Sequence, residues 1–319
     1  MLQNPLLMIL QHSLRGMIDL CKIGDEGMEN LLKREEQNCL FSGSDALRFY
    51  GGDTRERCSN GYLGKKYSDP MYGDEEAYRT LNALLFEGSE NEKERIWIEN
   101  HKLNPQFIRR IDETVNIYMN IFTLMKKSRA NDKAMIGKRV DRASSVIYYE
   151  AGFTQSFFSC SKGDYDDTFS KKNNIVLIEV EVTSNVPFVD YENVLAKSEY
   201  KYLDEREILL PPFLKIKLEK ANLTPAETRR IKDQNGKPPL RKYRLQTIEF
   251  PNYCKIISES EDEVWKKIID EKENAACLLE KMNQNDKDQD YREYERWKNN
   301  LQTYLKLKFS DIWYEGKEY

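Results

Sequence analysis

An α+β fold is predicted from three features: helical spacing in the first third, short alternating strands through the middle, and helical spacing again after Phe250. Helices that precede a run of strands favour segregated layers over a parallel, doubly wound sheet. At 319 residues, 39% hydrophobic and 33% charged, the chain is long enough to bury a substantial core. No proline- or glycine-rich linker interrupts it, and the net charge of −4 is too small to point to a partner by itself.

The elements follow in order. Residues 1–21 carry an apolar run from Pro5 to Leu10 that His12 and Arg15 interrupt. The run is too short for a membrane span and has neither a basic start nor a small-residue cleavage site, so an amphipathic helix is expected, with no signal peptide. Residues 45–50 form a short helix stopped by Gly51-Gly52, and 51–73 read as loop. Asp74 is expected to cap a helix bearing Ala77, Leu81, Leu84 and Leu85, ended by Gly88. The charged stretch 90–102 reads as a solvated helix or loop. Asn104-Pro105 opens a longer helix whose face is Ile108, Ile111, Val115, Tyr118, Phe122 and Met125.

From Met135 the period becomes two. Strands are expected over 134–140, 154–159, 175–182, 187–191, 207–210, 213–219 and 242–250. The clearest alternates Ile178, Val180 and Val182 with Glu179 and Glu181. After it, Ser260 and Glu263 form a capping box leading into Val264, Ile268, Ala275, Leu279 and Met282. A polar break at 283–290 precedes a helix carrying Tyr291, Tyr294, Trp297, Leu301 and Tyr304. This tail reads as a helical hairpin packed on the sheet, or as a docking surface, its aromatic stripe more simply core than cofactor site. The division is a helical lobe (1–130), a sheet core (131–255) and a C-terminal helical extension (256–319).

Composition narrows the chemistry. Six cysteines are scattered without a CxxC pair, so metal-ligand spacing is missing and free thiols are the default. Only His12 and His101 could serve a histidine-based triad or metal site, and neither lies near a nucleophile motif. No GxGxxG follows a strand and no GxxxxGK[ST] occurs. Carboxylate, guanidinium and hydroxyl groups remain. Glu205 and Glu207 are the leading pair: in an extended strand, residues i and i+2 project to one side, roughly 7 Å apart. Two carboxylates there could stabilise positive charge and accept a proton. The bland alternative is the wet face of an edge strand.

Three features then fall in order: Arg139 on the first strand, Phe158-Ser159-Cys160-Ser161 ending the second, and Glu205-x-Glu207 with Ile-Leu-Leu-Pro-Pro after it. Together with the upstream Phe49-Tyr50 and Tyr78-Arg-Thr-Leu-Asn82 helices, this resembles the mono-ADP-ribosyltransferase family of the arginine-serine-glutamate class, over roughly 45–219. The resemblance implies a helical lobe before a split antiparallel β-sheet that grips NAD, which is consumed as substrate. It implies Glu207 as the catalytic carboxylate, Glu205 as the group orienting the acceptor, and Ser159 as the residue holding Glu207 and the nicotinamide ribose. Arg139, with Arg142 as rival, would hold the NAD phosphates. Ser161 opens the loop 161–170 that would close over nicotinamide, with Phe169 or Tyr165 stacking, while Tyr200 and Tyr202 would face the acceptor. Cys160 stands where threonine is usual, Gly137-Lys138 precedes Arg139 where an aromatic is usual, and Asn185 replaces a frequent glycine.

A glutamate at position 205 goes in that family with an arginine side chain of a target protein as acceptor, as in bacterial toxins and effectors. The basic stretch 220–244, with Arg229, Arg230, Lys232, Lys237, Arg241, Lys242 and Arg244, offers a second acceptor class, RNA or DNA, as in toxin–antitoxin or phage-defence systems. Its plainer reading is a solvated loop. An inhibitory antitoxin or immunity protein is an implied partner; no membrane or metal partner is expected. Localisation is expected to be cytoplasmic, or reached through a dedicated secretion system. A non-enzymatic helical interaction protein is the remaining reading, with incidental glutamates and 260–319 as its working surface.

Overall fold

The computed structural model describes residues 43–51, 70–74, 76–86, 98, 102–128, 134–163, 174–195, 206–286 and 290–315, without the side chains of 234 and 235. All lie in one unit, Phe41–Tyr319. The expected N-terminal helix lies outside them, as do both histidines, Cys21, Cys39 and Cys58.

Helix α1, Gly43–Tyr50, buries Leu47, Phe49 and Tyr50. Helix α2, Ala77–Ala83, starts without a side-chain cap. Asp74 accepts from the Glu76 amide at 2.9 Å, so it closes a turn ahead of the helix instead of capping it. The long helix expected after Pro105 is two: α3, Gln106–Arg109, and α4, Ile111–Ser128. The break falls at Arg110 (φ −104°, ψ 49°), and the Thr114 hydroxyl donates to the Phe107 carbonyl across it at 2.7 Å. The apolar spacing continues through the break, because Ile108, Ile111, Tyr118 and Phe122 are all fully buried.

The strands are β1 (Met135–Arg142), β2 (Phe158–Ser161), β3 (Ile175–Val182), β4 (Val189–Asp190), β5 (Glu207–Leu210), β6 (Lys215–Ala221) and β7 (Arg241–Glu249). They form one sheet in the order β4-β5-β2-β1-β3-β7-β6. The sheet is mixed where a wholly antiparallel one was expected: β3 and β7 run parallel, while the other neighbours are antiparallel. Two halves meet at a narrow seam. There β1 and β2 register only at Lys138 and Ser161, whereas β1 follows β3 from Met135 to Arg142. The Pro-Pro turn after β5 is fixed by Thr154, whose hydroxyl donates to the Pro211 carbonyl at 2.7 Å and accepts from the Leu214 amide at 2.9 Å.

Two elements lie off the strands after β1. Helix α5, Val146–Glu150, follows it, and helix α6, Tyr191–Val194, follows β4. The basic stretch expected as a loop or arm contains helix α7, Pro225–Asn235. Thr224 and Glu227 make a full capping box, proline occupies the first turn, and Gly236 closes the helix at φ 72°. Ile231 on α7 is fully buried against Val140, Ile175 and Leu177, a small core on one face of the sheet. On the other face the main core joins strands to helices.

The tail is a hairpin of α8 (Glu261–Asn283, with the Ser260/Glu263 capping box) and α9 (Arg292–Tyr314). It packs chiefly on the preceding helices, where the sheet was expected. Phe309 stacks on Phe122 at 4.3 Å, Arg109 bonds Glu280 at 2.8 Å, and Gln302 donates to the Phe86 carbonyl at 2.9 Å. The aromatic stripe is core, with Tyr294 and Trp297 fully buried. No helix among the described residues is long and apolar enough to cross a membrane.

Candidate active site

Sheet order decides what can meet. Strand β2 lies between β1 and β5, so the arginine strand and the glutamate strand flank the Ser159-Cys160-Ser161 run. Across β2 and β5, Ser159 faces Leu209, Cys160 faces Ile208 and Ser161 faces Glu207. Directly opposed residues of antiparallel strands share a face, so Glu207 emerges beside Ser161 at the end of the pair.

Arg139 crosses the seam. Its Nε donates to Asp141 at 3.0 Å, one Nη donates to the Ser159 carbonyl at 2.7 Å, and the guanidinium lies 4.8 Å over the Phe158 ring. Tyr149 donates its hydroxyl to the same Asp141 carboxylate. Burial works against the Arg139 charge, but Tyr149 and Asp141 outweigh it and hold its pKa above the ordinary arginine value. A planar fork fixed on two partners is pre-oriented for an anionic or polyhydroxyl ligand. Arg142 is separate: with Val140 it belongs to the strand face opposite Arg139, and it is exposed.

The unusual residues at the seam explain one another. A Cβ on Gly137 would lie 2.4 Å from the Cys160 sulfur, so no larger residue fits there while Cys160 keeps its place. The thiol is buried, and burial pushes its pKa up to about 12; Arg139 opposes that rise and Glu207 adds to it. From the helical side, Tyr50 accepts a hydrogen bond from the Asn82 amide at 2.8 Å. Burial raises the Tyr50 pKa, the Asn82 bond opposes the rise, and the charges of Glu207 and Arg139 both reach the phenol. Arg139 and Glu207 thus act on the same two buried groups, in opposite directions. Tyr50, Asn82 and Asp141 belong to this neighbourhood although spacing alone had not singled them out as site residues.

Of the expected carboxylate pair, Glu207 is described. Strand β5 begins at Glu207, and Arg206 before it has φ 52°, a left-handed conformation uncommon for a non-glycine residue. The extended conformation of β5 therefore does not continue from Glu207 into Arg206. Glu205, Phe169, Tyr165, Tyr200 and Tyr202 lie outside the described residues. Ser161 is described: its hydroxyl accepts from the Gly163 amide at 3.0 Å and closes the end of β2.

Among the described residues, no group of three or more His, Cys, Asp or Glu side chains is arranged to hold a metal ion. Cys160, Cys254 and Cys277 are free.

No protein-family profile and no curated protein matches the sequence. Among solved structures, the chain is similar to the catalytic domain of VahC from Aeromonas hydrophila, with 13% identity and a TM-score of 0.35, over 65% of this chain and 97% of that one. It is also similar to the ADP-ribosyltransferase Vis, solved with the inhibitor M6, with 14% identity and a TM-score of 0.25, over 67% of this chain and 85% of Vis. TM-scores below 0.5 do not establish a shared fold, so the functional reading rests on the side chains themselves.

Proposed function

We propose that this chain is a mono-ADP-ribosyltransferase that cleaves NAD and transfers ADP-ribose to an arginine side chain of a target protein. The observation that supports this reading most is the sheet order: Arg139 and Glu207 flank the serine strand from opposite neighbours, and both charges reach Tyr50 and Cys160. Breaking the bond between nicotinamide and ribose develops positive charge on the sugar while a neutral leaving group departs. A carboxylate already fixed beside that charge lowers the barrier, and Glu207 is assigned this role. Arg139, held on Asp141 and the Ser159 carbonyl, would engage the pyrophosphate or adjoining ribose, and Ser159 would steady the sugar. Arg142 is set aside as the phosphate ligand because it is exposed, whereas Arg139 is the arginine whose charge reaches the buried groups that Glu207 also reaches. Glu205 is assigned to orienting the incoming guanidinium.

A nucleic-acid acceptor has less support. Within the basic stretch, Lys242 bonds Glu179 at 3.1 Å and Glu227 at 2.8 Å, and Arg244 bonds Glu179 at 3.3 Å, so part of its charge is matched inside the protein.

The test is incubation with labelled NAD and a cell lysate, followed by separate protease and nuclease digestion. Protease is expected to release the label and nuclease to leave it. Glu207→Ala should lower nicotinamide release by about 10²–10³-fold, as loss of a transition-state-stabilising group does. Glu205→Gln should keep slow NAD hydrolysis and lose transfer. Undiminished nicotinamide release by Glu207→Ala would end this reading.

A further inference from the structure

The end of β5 that carries Glu207 is fastened by groups that the reading above does not use. The peptide joining Arg206 to Glu207 is gripped through its carbonyl: the Lys162 amide donates to the Arg206 oxygen at 3.0 Å, one step beyond the Ser161–Glu207 pair. The Lys162 side chain reaches farther in the same direction, across β5. Its ammonium bonds Asp190 at 2.7 Å and pairs with Glu192. Those carboxylates belong to β4 and α6, on the far side of β5, where Asp190 registers with Ile208. Glu192 in turn faces the Arg206 guanidinium at 3.7 Å. One lysine therefore ties the three strands together where Glu207 emerges.

Two features set this apart from an ordinary surface ion pair. The Lys162 and Asp190 side chains are only 15% and 4% exposed, so solvent screens their attraction weakly. And the residue they bracket, Arg206, holds a left-handed φ of 52°, a conformation that persists in a non-glycine residue only where surrounding contacts over-determine it.

We propose that Lys162 is a positioning residue for Glu207: it holds Arg206 in its left-handed conformation and so fixes the direction from which the carboxylate reaches the reacting sugar. This inference rests on the transferase reading, since without it Glu207 has no assigned chemistry to position. Atomic misplacement of a catalytic group by about 1 Å can lower rates by ~10²-fold, so a lysine that never touches substrate can control turnover.

The experiment compares wild type, Lys162→Met, Lys162→Arg and the double variant Lys162→Met/Arg206→Gly. Three readouts are taken: steady-state nicotinamide release, melting temperature, and amide hydrogen exchange of the peptide spanning 206–210. Lys162→Met is expected to lower kcat by about 10- to 100-fold with KM for NAD changed by less than about 3-fold, and to speed exchange at 206–210. Lys162→Arg should recover most of the rate. The double variant should recover about tenfold over Lys162→Met, because glycine adopts a positive φ without strain. An unchanged kcat in Lys162→Met would overturn the proposal. So would a loss that follows melting temperature alone, or one that Arg206→Gly does not relieve. The exchange readout separates the two levels of failure. Faster exchange at 206–210 in a protein whose nicotinamide release is absent or independent of Glu207 would sink the transferase reading and leave Lys162 as a fastener of β5. Unchanged exchange and unchanged kcat in an active, Glu207-dependent enzyme would sink this inference alone.

Discussion

The guanidinium of Arg139 commits one edge to Asp141 and a second nitrogen to the Ser159 carbonyl, while its plane lies over Phe158. Lysine would retain the charge and lose the fork. Hydrogen bonds to charged groups contribute about 1.5–3 kcal/mol each, so Arg139→Lys is expected to lower kcat/KM for NAD by roughly 10- to 100-fold, mostly through KM. Nicotinamide-release kinetics check this; an unchanged KM would show that Arg139 does not bind the dinucleotide. The order of Arg139, Ser159 and Glu207 was readable from the chain because motif order survives folding. Which arginine of 139 and 142 reaches β2 was not, since it depends on how β1 sits against β2 at the seam, which spacing does not give. Nor could spacing disclose Arg206, whose backbone angle is imposed by partners far along the chain, Lys162 and Glu192.

Helix α7 shows how an element can be hidden by its own surface. Cations crowd the stretch 220–244, and that charge masked the Thr224-Pro225-x-Glu227 start signal, the one buried apolar residue of the turn (Ile231) and the closing Gly236. Strands 175–182 and 207–210 were legible to the residue, because an uninterrupted apolar run or alternation leaves less room for competing readings. Thr224→Ala should destabilise the protein by ~1 kcal/mol through loss of the cap, read as a lower denaturant midpoint with unchanged slope. Glu227 adds a pH dependence. Burial disfavours its charge, but bonds from Lys242 and Thr224 outweigh that and hold its pKa at about 2. A folded-state pKa below the unfolded value means the contribution is fully present above the ordinary carboxylate range and declines as pH falls toward about 2. Acid titration of wild type should therefore show a loss in that window that Glu227→Gln lacks.

At the scale of the whole molecule, the C-terminal hairpin belongs to the central core. Phe309 on Phe122, Trp313 and Leu305 are buried together with strand residues in one continuous cluster. Each such side chain contributes about 1.5–3 kcal/mol by burial, against a total stability of about 5–15 kcal/mol for a typical domain. A chain ending at residue 260 is accordingly expected to show no cooperative thermal transition by circular dichroism; a sharp one would make the hairpin a separable extension. The seam between the two halves of the sheet has its own consequence. Cys160 sits where the halves join, its sulfur filling the space left by Gly137, and a thiol with a pKa of about 12 carries almost no reactive thiolate near neutrality. Breathing of the halves would hydrate that sulfur and make it open to alkylation, so the rate at which a maleimide marks the peptide containing Cys160 becomes a built-in clock for how often the two halves part.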